Sequence, residues 1–75
     1  MNKTLCFDFG NTRLKYAVFE NDNFTKEGVL PNSSVETINA LLDEYQPKKT
    51  ILSSVIEHDV AIETLLSART SFHKL

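Results

Sequence analysis

Cysteine, glycine and proline are all scarce in this 75-residue chain: one Cys, two Gly and two Pro. With Cys6 alone, no internal disulfide can form and a cysteine-built zinc site lacks its ligands. A single thiol inside an apolar run reads as buried packing rather than as a nucleophile. No repeat, low-complexity tract or linker interrupts the chain. An excess of one charge is also missing. Eight basic and ten acidic residues give a net charge of −2, interspersed along the sequence, which argues against the basic face that a nucleic-acid partner requires. The one basic pair, Lys48-Lys49, reads as the solvated entrance of a strand. No apolar stretch is long enough to span a bilayer. A lone Lys3 followed by Asp8 is not the pattern of a signal peptide, so the cytoplasm is the expected location. What remains is enough for one small domain, which leaves much of its surface in water and is marginally stable without staples or partners.

Thr4 to Phe9 is a short apolar run of β-formers closed by Gly10-Asn11, and reads as a buried strand carrying one acid. Arg13 to Glu20 alternates, with Leu14, Tyr16 and Val18 on one face and Lys15, Ala17 and Phe19 on the other. The tight connection makes this second strand antiparallel to the first. Asn21-Asp22-Asn23 is a turn cluster, and Phe24 to Leu30 reads as a third strand weakened by Gly28. The period then changes. Ser33 and Glu36 stand at capping-box spacing, and Val35, Ile38, Leu41, Leu42 and Tyr45 follow at helical intervals until Pro47 ends the helix. Lys49 to Val55 is a fourth strand. Asp59 is the expected N-cap of a second helix with the stripe Ala61, Ile62, Leu65 and Leu66. Ser71 to Leu75 reads as a linker or as the opening of another strand.

The order β-β-β-α-β-α predicts an α/β fold with a mixed sheet. A helical crossover would set the fourth strand beside the first and parallel to it. This is the connectivity of the ribonuclease H-like fold, here as an incomplete half-domain spanning residues 1–75. In that arrangement the fourth strand would lose its outer neighbour, leaving an unpaired edge containing Ile51, Leu52 and Val55 and inviting self-association.

The chemistry concentrates at Asp8-Phe9-Gly10-Asn11-Thr12. A carboxylate among Leu5, Cys6, Phe7 and Phe9 is costly unless it meets a cation or hydrogen-bond donors. Glycine allows a sharp turn and close approach to a ligand, and asparagine tolerates left-handed backbone. The N–H groups of Gly10, Asn11 and Thr12, with the Asn11 amide and Thr12 hydroxyl, can cradle phosphate oxygens. Asp8 can hold Mg²⁺, and Lys15 can point back towards the same phosphates. The same pentapeptide is also a common hairpin composition, in which Asp8 simply accepts hydrogen bonds from its own turn. His58 and His73 lie far apart, without neighbours at metal-ligand spacing. Ser53-Ser54 with His58 and Asp59 supplies hydrolase residue types, but no nucleophile-elbow glycines surround the serines.

The run from Leu5 through Asp8-Phe9-Gly10-Asn11-Thr12 to Lys15-Tyr16-Ala17-Val18-Phe19 resembles the first phosphate motif of the type III pantothenate kinases, members of the acetate kinase, sugar kinase and actin superfamily. Ile51-Leu52-Ser53-Ser54-Val55 is similar to that family's fourth-strand segment. The resemblance implies transfer of a phosphoryl group from ATP to the primary hydroxyl of pantothenate, the first step towards coenzyme A. It also implies Mg²⁺, a monovalent cation (K⁺ or NH4⁺) and a homodimer. On this reading Asp8 serves metal and phosphates, Gly10, Asn11 and Thr12 form the phosphate loop with Lys15 beside it, and Ser53 and Ser54 border the cleft.

Family members are roughly three times as long, with the cleft between two such domains. Their catalytic aspartate, pantothenate segment and second phosphate motif would lie downstream of Leu75. The expectation is therefore a truncated N-terminal part without appreciable kinase activity of its own. Another small-molecule kinase of the same superfamily, or a regulatory or binding module on the same scaffold, is the alternative reading. A nuclease would need more carboxylates converging on two metals.

Overall fold

Residues 2–75 are described by a computed structural model. Strand β1 (Lys3–Phe9) sends alternate side chains to opposite faces of a sheet, and that alternation organises the domain. Leu5, Phe7 and Phe9 are fully buried on one face, whereas Thr4 and Cys6 are half-buried and Asp8 is exposed on the other. Strand β2 (Leu14–Glu20) pairs antiparallel with β1, setting Val18 opposite Leu5 and Tyr16 opposite Phe7. A two-residue turn leads to β3 (Asn23–Val29). Its central residues Asn21 and Asp22 have φ of 50° and 69°, the left-handed conformation that suits the twist of a two-residue hairpin and that Asn and Asp tolerate.

Helix α1 (Val35–Tyr45) then crosses to β4 (Lys49–Ser54), which lies parallel to β1, and α2 (Val60–Arg69) crosses to β5 (Ser71–Lys74). The sheet order is β3-β2-β1-β4-β5, with β2 antiparallel to its neighbours and β1, β4 and β5 parallel. The fold is thus α/β, with a five-stranded mixed sheet and two helices. Ile38, Leu41 and Leu42 of α1, with Ile62 and Leu66 of α2, bury against Leu5, Phe7, Phe9, Val18 and Leu52 in one cluster. Both helices therefore cover the same sheet face. The other face is bare, and register sets three rows of side chains across it: Phe24, Phe19, Thr4, Lys49 and Ser71; Glu27, Ala17, Cys6, Ile51 and His73; and Val29, Lys15, Asp8 and Ser53.

Four expectations change. The first strand is buried on one face only, so Asp8 meets water rather than an apolar interior. Cys6 stands half-buried on the bare face instead of within the core. The cap of α1 is Ser34, not Ser33: its hydroxyl accepts from Thr37 N–H at 3.2 Å, and Asn32 Oδ1 accepts from Ser34 N–H at 3.0 Å. Ser33 has Glu36 three residues on and Ser34 has Thr37; Asn32 Oδ1, which accepts from both Ser34 N–H and the Thr37 hydroxyl, holds the Ser34 cap in place. Last, the open edge is not β4. Residues 71–74 form a strand against it, continued by Leu75 N–H donating to Leu52 O at 2.9 Å, so the free edge is the short, polar β5. Asp59 caps α2 as expected, accepting from Ala61 N–H at 2.9 Å, but Ala61 itself faces outwards.

Strand β3 is mostly exposed, and its hold on the fold is aromatic. The Tyr16 ring lies over Gly28, where a Cβ would come within 2.6 Å of it. Tyr45 of α1 stands beside that ring, with centroids 6.4 Å apart, and Lys26 Nζ lies 5.9 Å from the Tyr45 centroid.

The helix side holds a polar pair with one buried member. Thr50 is fully buried, 2.7 Å from the Thr70 hydroxyl, which donates its own proton to Leu66 O at 2.7 Å. Thr50 is therefore the donor. Replacing it by valine leaves Thr70 satisfied, whereas Thr70→Val strands a buried donor. Denaturant unfolding should show Thr50→Val costing about 0.5–1.5 kcal/mol and Thr70→Val about 1–3 kcal/mol. An inverted order would remove this donor assignment.

Candidate functional site

The loop from Gly10 to Arg13 joins β1 to β2 at the C-terminal end of β1, where the parallel strand β4 also ends. Gly10 N–H donates to Arg13 O at 3.0 Å and closes the loop. That amide is committed within the chain, while the N–H groups of Asn11 and Thr12 have no intramolecular acceptor among the described residues and both residues are exposed. The donors that the loop leaves open are thus the Asn11 and Thr12 amides with their side chains. Gly10 does not adopt positive φ, and neither does Asn11. The left-handed freedom expected here is used elsewhere, at Asn21, Asp22 and Gln46. A Cβ at Gly10 would meet Arg13 O at 3.4 Å, an ordinary contact.

Asp8 and Lys15 are direct cross-strand partners, and Ser53 is the partner of Asp8 on β4. An acid, a base and a hydroxyl therefore stand side by side in one row of the bare face, one step from the loop. A recess of about 330 Å³ is lined by Asp8, Gly10, Thr12, Arg13 and Lys15. All of the sequence-predicted site residues lie in or beside it. The structure adds Arg13, a second cation beside the turn. It also separates the two serines. Ser53 shares parity with Asp8 and faces the row, whereas Ser54 points to the helix side and donates to Ile56 O at 2.8 Å. Parity along β4 could have told them apart, since neighbouring strand residues face opposite ways.

A second recess of about 360 Å³ lies on the other side of the loop, between Gly10–Leu14, Val29–Pro31 and Ile56. Its wall is anchored to β1 through Val55 N–H, which donates to Phe9 O at 3.0 Å. Behind Ile56 stands a polar chain that sequence reasoning passed over. His58, with a side chain only 9% exposed, places Nδ1 3.3 Å from Ser54 Oγ and Nε2 2.7 Å from Glu63 Oε2. The same Glu63 oxygen takes Lys74 Nζ at 3.1 Å, and the Phe9 ring meets the imidazole edge-on at 5.9 Å between centroids. The spacing of His58 and Glu63 on a loop and a helix start carried no signal for this contact.

No group of three or more metal-ligating side chains converges among the described residues. A divalent ion at Asp8 would thus take one carboxylate from this chain, with its remaining positions filled by phosphate oxygens and water, as suits Mg²⁺. Burial pushes the Cys6 thiol up, which disfavours the thiolate that a nucleophile needs. No helix among the described residues is long and apolar enough to cross a membrane.

The His58 imidazole foremost, and then the Lys74 ammonium, hold the Glu63 carboxyl below the ordinary glutamate range. A depressed carboxyl adds stability that is present above its unfolded-state value and disappears as pH falls through the folded one. Glu63→Gln should therefore lower the melting temperature at neutral pH, with the gap to wild type closing on acidification below about pH 4.3. A gap that stays constant down to acid unfolding would contradict the assignment. Neither a protein-family model nor a curated protein matches this chain.

Proposed function

We propose that the Asp8–Lys15 hairpin end is the metal- and phosphate-binding element of an ATP-dependent small-molecule kinase of the type III pantothenate kinase kind, on a ribonuclease H-like half-domain. The observation that carries this reading is the row Lys15-Asp8-Ser53 beside a loop with two uncommitted amides, at Asn11 and Thr12. The strand order, with only β2 reversed, supports the fold assignment.

Each residue has a physical task on this reading. The Asn11 and Thr12 N–H groups and the Thr12 hydroxyl donate to phosphate oxygens. Lys15 and Arg13 offset phosphate charge, Lys15 as a point charge and Arg13 through its planar fork. Asp8, exposed and flanked by Lys15, is the residue of this chain that would hold Mg²⁺. Bound Mg²⁺ would supply charge neutralisation and fix the orientation of the phosphates. Ser53 stands where its hydroxyl can donate to the same group. A base for the alcohol acceptor is not among these residues. We therefore assign this chain phosphate binding, with pantothenate phosphorylation, the monovalent cation and the homodimer belonging to a larger catalytic unit.

Calorimetric titration with ATP, with and without Mg²⁺, tests the reading. Binding should require Mg²⁺ and weaken for Asp8→Asn by about 1.5–3 kcal/mol, the worth of a hydrogen bond or contact to a charged group. Ser53→Ala should weaken it less, and Ser54→Ala should leave the metal dependence intact. ATP binding indifferent to both Mg²⁺ and Asp8 would sink the proposal. Phosphorylation of pantothenate by this chain alone would overturn the assignment of binding without turnover.

A further inference from the structure

We infer that His58 is a proton-controlled positioning residue, which sets the Ile56 side of the recess beside the Gly10–Leu14 loop. The hydrogen-bonded chain from Ile56 through Ser54 and His58 to Glu63 is partly buried, and its protons can be assigned one by one. A serine hydroxyl has one proton to give. Ser54 stands 2.8 Å from Ile56 O, an acceptor only, so that proton is spent there. Towards His58, Ser54 Oγ can then only accept, and Nδ1 at 3.3 Å must carry a proton. On the far side of the ring Glu63 is an ionised carboxylate, again an acceptor only, so Nε2 at 2.7 Å must carry one too. The arrangement is that of a doubly protonated imidazolium, and its charge is met by Glu63.

Loss of one proton has a defined course. The Nε2 proton is held by a carboxylate at 2.7 Å and the Nδ1 proton by a hydroxyl at 3.3 Å, so Nδ1 releases its proton to solvent. The bare nitrogen then becomes the stronger acceptor for the Ser54 hydroxyl. Rotation of that hydroxyl from Ile56 O to Nδ1 leaves the Ile56 carbonyl without its donor. Ile56 lines the recess together with Gly10–Leu14, and its neighbour Val55 is bonded to Phe9 O, so the change is delivered to the loop wall. The groups facing His58 are Ser54 from β4, Glu63 from α2, the Phe9 ring from β1 and, through the shared Glu63 oxygen, Lys74 from β5. Within its own loop, Glu57 is exposed and Asp59 is engaged in capping Ala61 N–H. The proton exchange follows from this geometry alone. Its effect on a ligand rests on the phosphate-site reading above.

Nitrogen and amide NMR of the whole chain across pH tests the inference. At the acid end, both His58 ring nitrogens should show protonated-type shifts. As pH rises, Nδ1 alone should acquire the unprotonated type, while Nε2 keeps its proton. The amides of Ile56, Asn11 and Thr12 should move with the midpoint of His58 and not with that of His73. In Ser54→Ala the ring should still titrate, but those amides should cease to follow it. Loss of the proton from Nε2 instead, or loop amides in wild type that ignore His58, would overturn the proposal. Titration with MgATP at the two ends of the transition separates the two ideas. Coupled amides without MgATP binding uphold the His58 exchange and refute the phosphate reading. MgATP binding with uncoupled amides does the reverse.

Discussion

Strand β1 is flanked on both sides, by β2 running against it and β4 running with it, and its alternation divides the molecule into two halves with different tasks. Three large side chains, Leu5, Phe7 and Phe9, point to the helices and are almost wholly withdrawn from water. Each such burial is worth about 1.5–3 kcal/mol, so the strand cannot slip by one residue without exchanging that core for Cys6 and Asp8. The same constraint that holds the core thus holds Asp8 on the bare face, opposite Lys15 and Ser53. The row Lys15-Asp8-Ser53 is a by-product of core packing, and its geometry inherits the rigidity of the sheet, whereas the donors at Asn11 and Thr12 stand on the loop beside it.

Much of this arrangement was legible from residue patterns. The apolar run of β1 announces a strand, the period-two run of β2 announces its faces, the switch to period 3.6 announces α1, and Asp59 announces the start of α2. Those features are local, and local propensity and pattern are what a sequence displays. What escaped was tertiary. Whether Asp8 is buried depends on which face the helices cover, and no residue near it states that. Ser33 has the capping-box glutamate, yet Ser34 is the cap, with Asn32 folded back to accept from its N–H and from the Thr37 hydroxyl. The strand character of residues 71–74 comes from the edge that β4 offers to them, since the segment is too short and polar to declare itself. His58 meets Glu63 because a loop turns back over Phe9, a meeting set by chain path rather than by spacing.

The loop between β1 and β2 forms where the residue pattern expects a tight antiparallel connection, with a hydrogen-bonding arrangement that differs from the expected one. Its glycine amide closes the turn on Arg13, so donors are left only at Asn11 and Thr12. Left-handed backbone appears at the opposite hairpin end and after α1, at Gln46, whose N–H donates to Leu42 O at 2.8 Å just before Pro47. Residue types that tolerate such backbone take it at Asn21 and Asp22 but not at Gly10 or Asn11, and Gln46 adopts it without being one of them.

The aromatic cover over Gly28 bears on where the molecule opens. At the Asn21-Asp22 turn, β3 has exposed side chains and little to keep its ladder from water, so local opening there costs far less than global unfolding. Further along, the Tyr16 ring seals the strand at Gly28, and beyond it Leu30 is buried, with its N–H donating to Leu14 O at 2.7 Å. Fraying that begins at the turn therefore meets one barrier before it reaches Val29–Pro31 and a second within that segment, at Leu30. The hairpin has a breathing end and a quiet end, and the recess beside the Gly10–Leu14 loop is built on the quiet one.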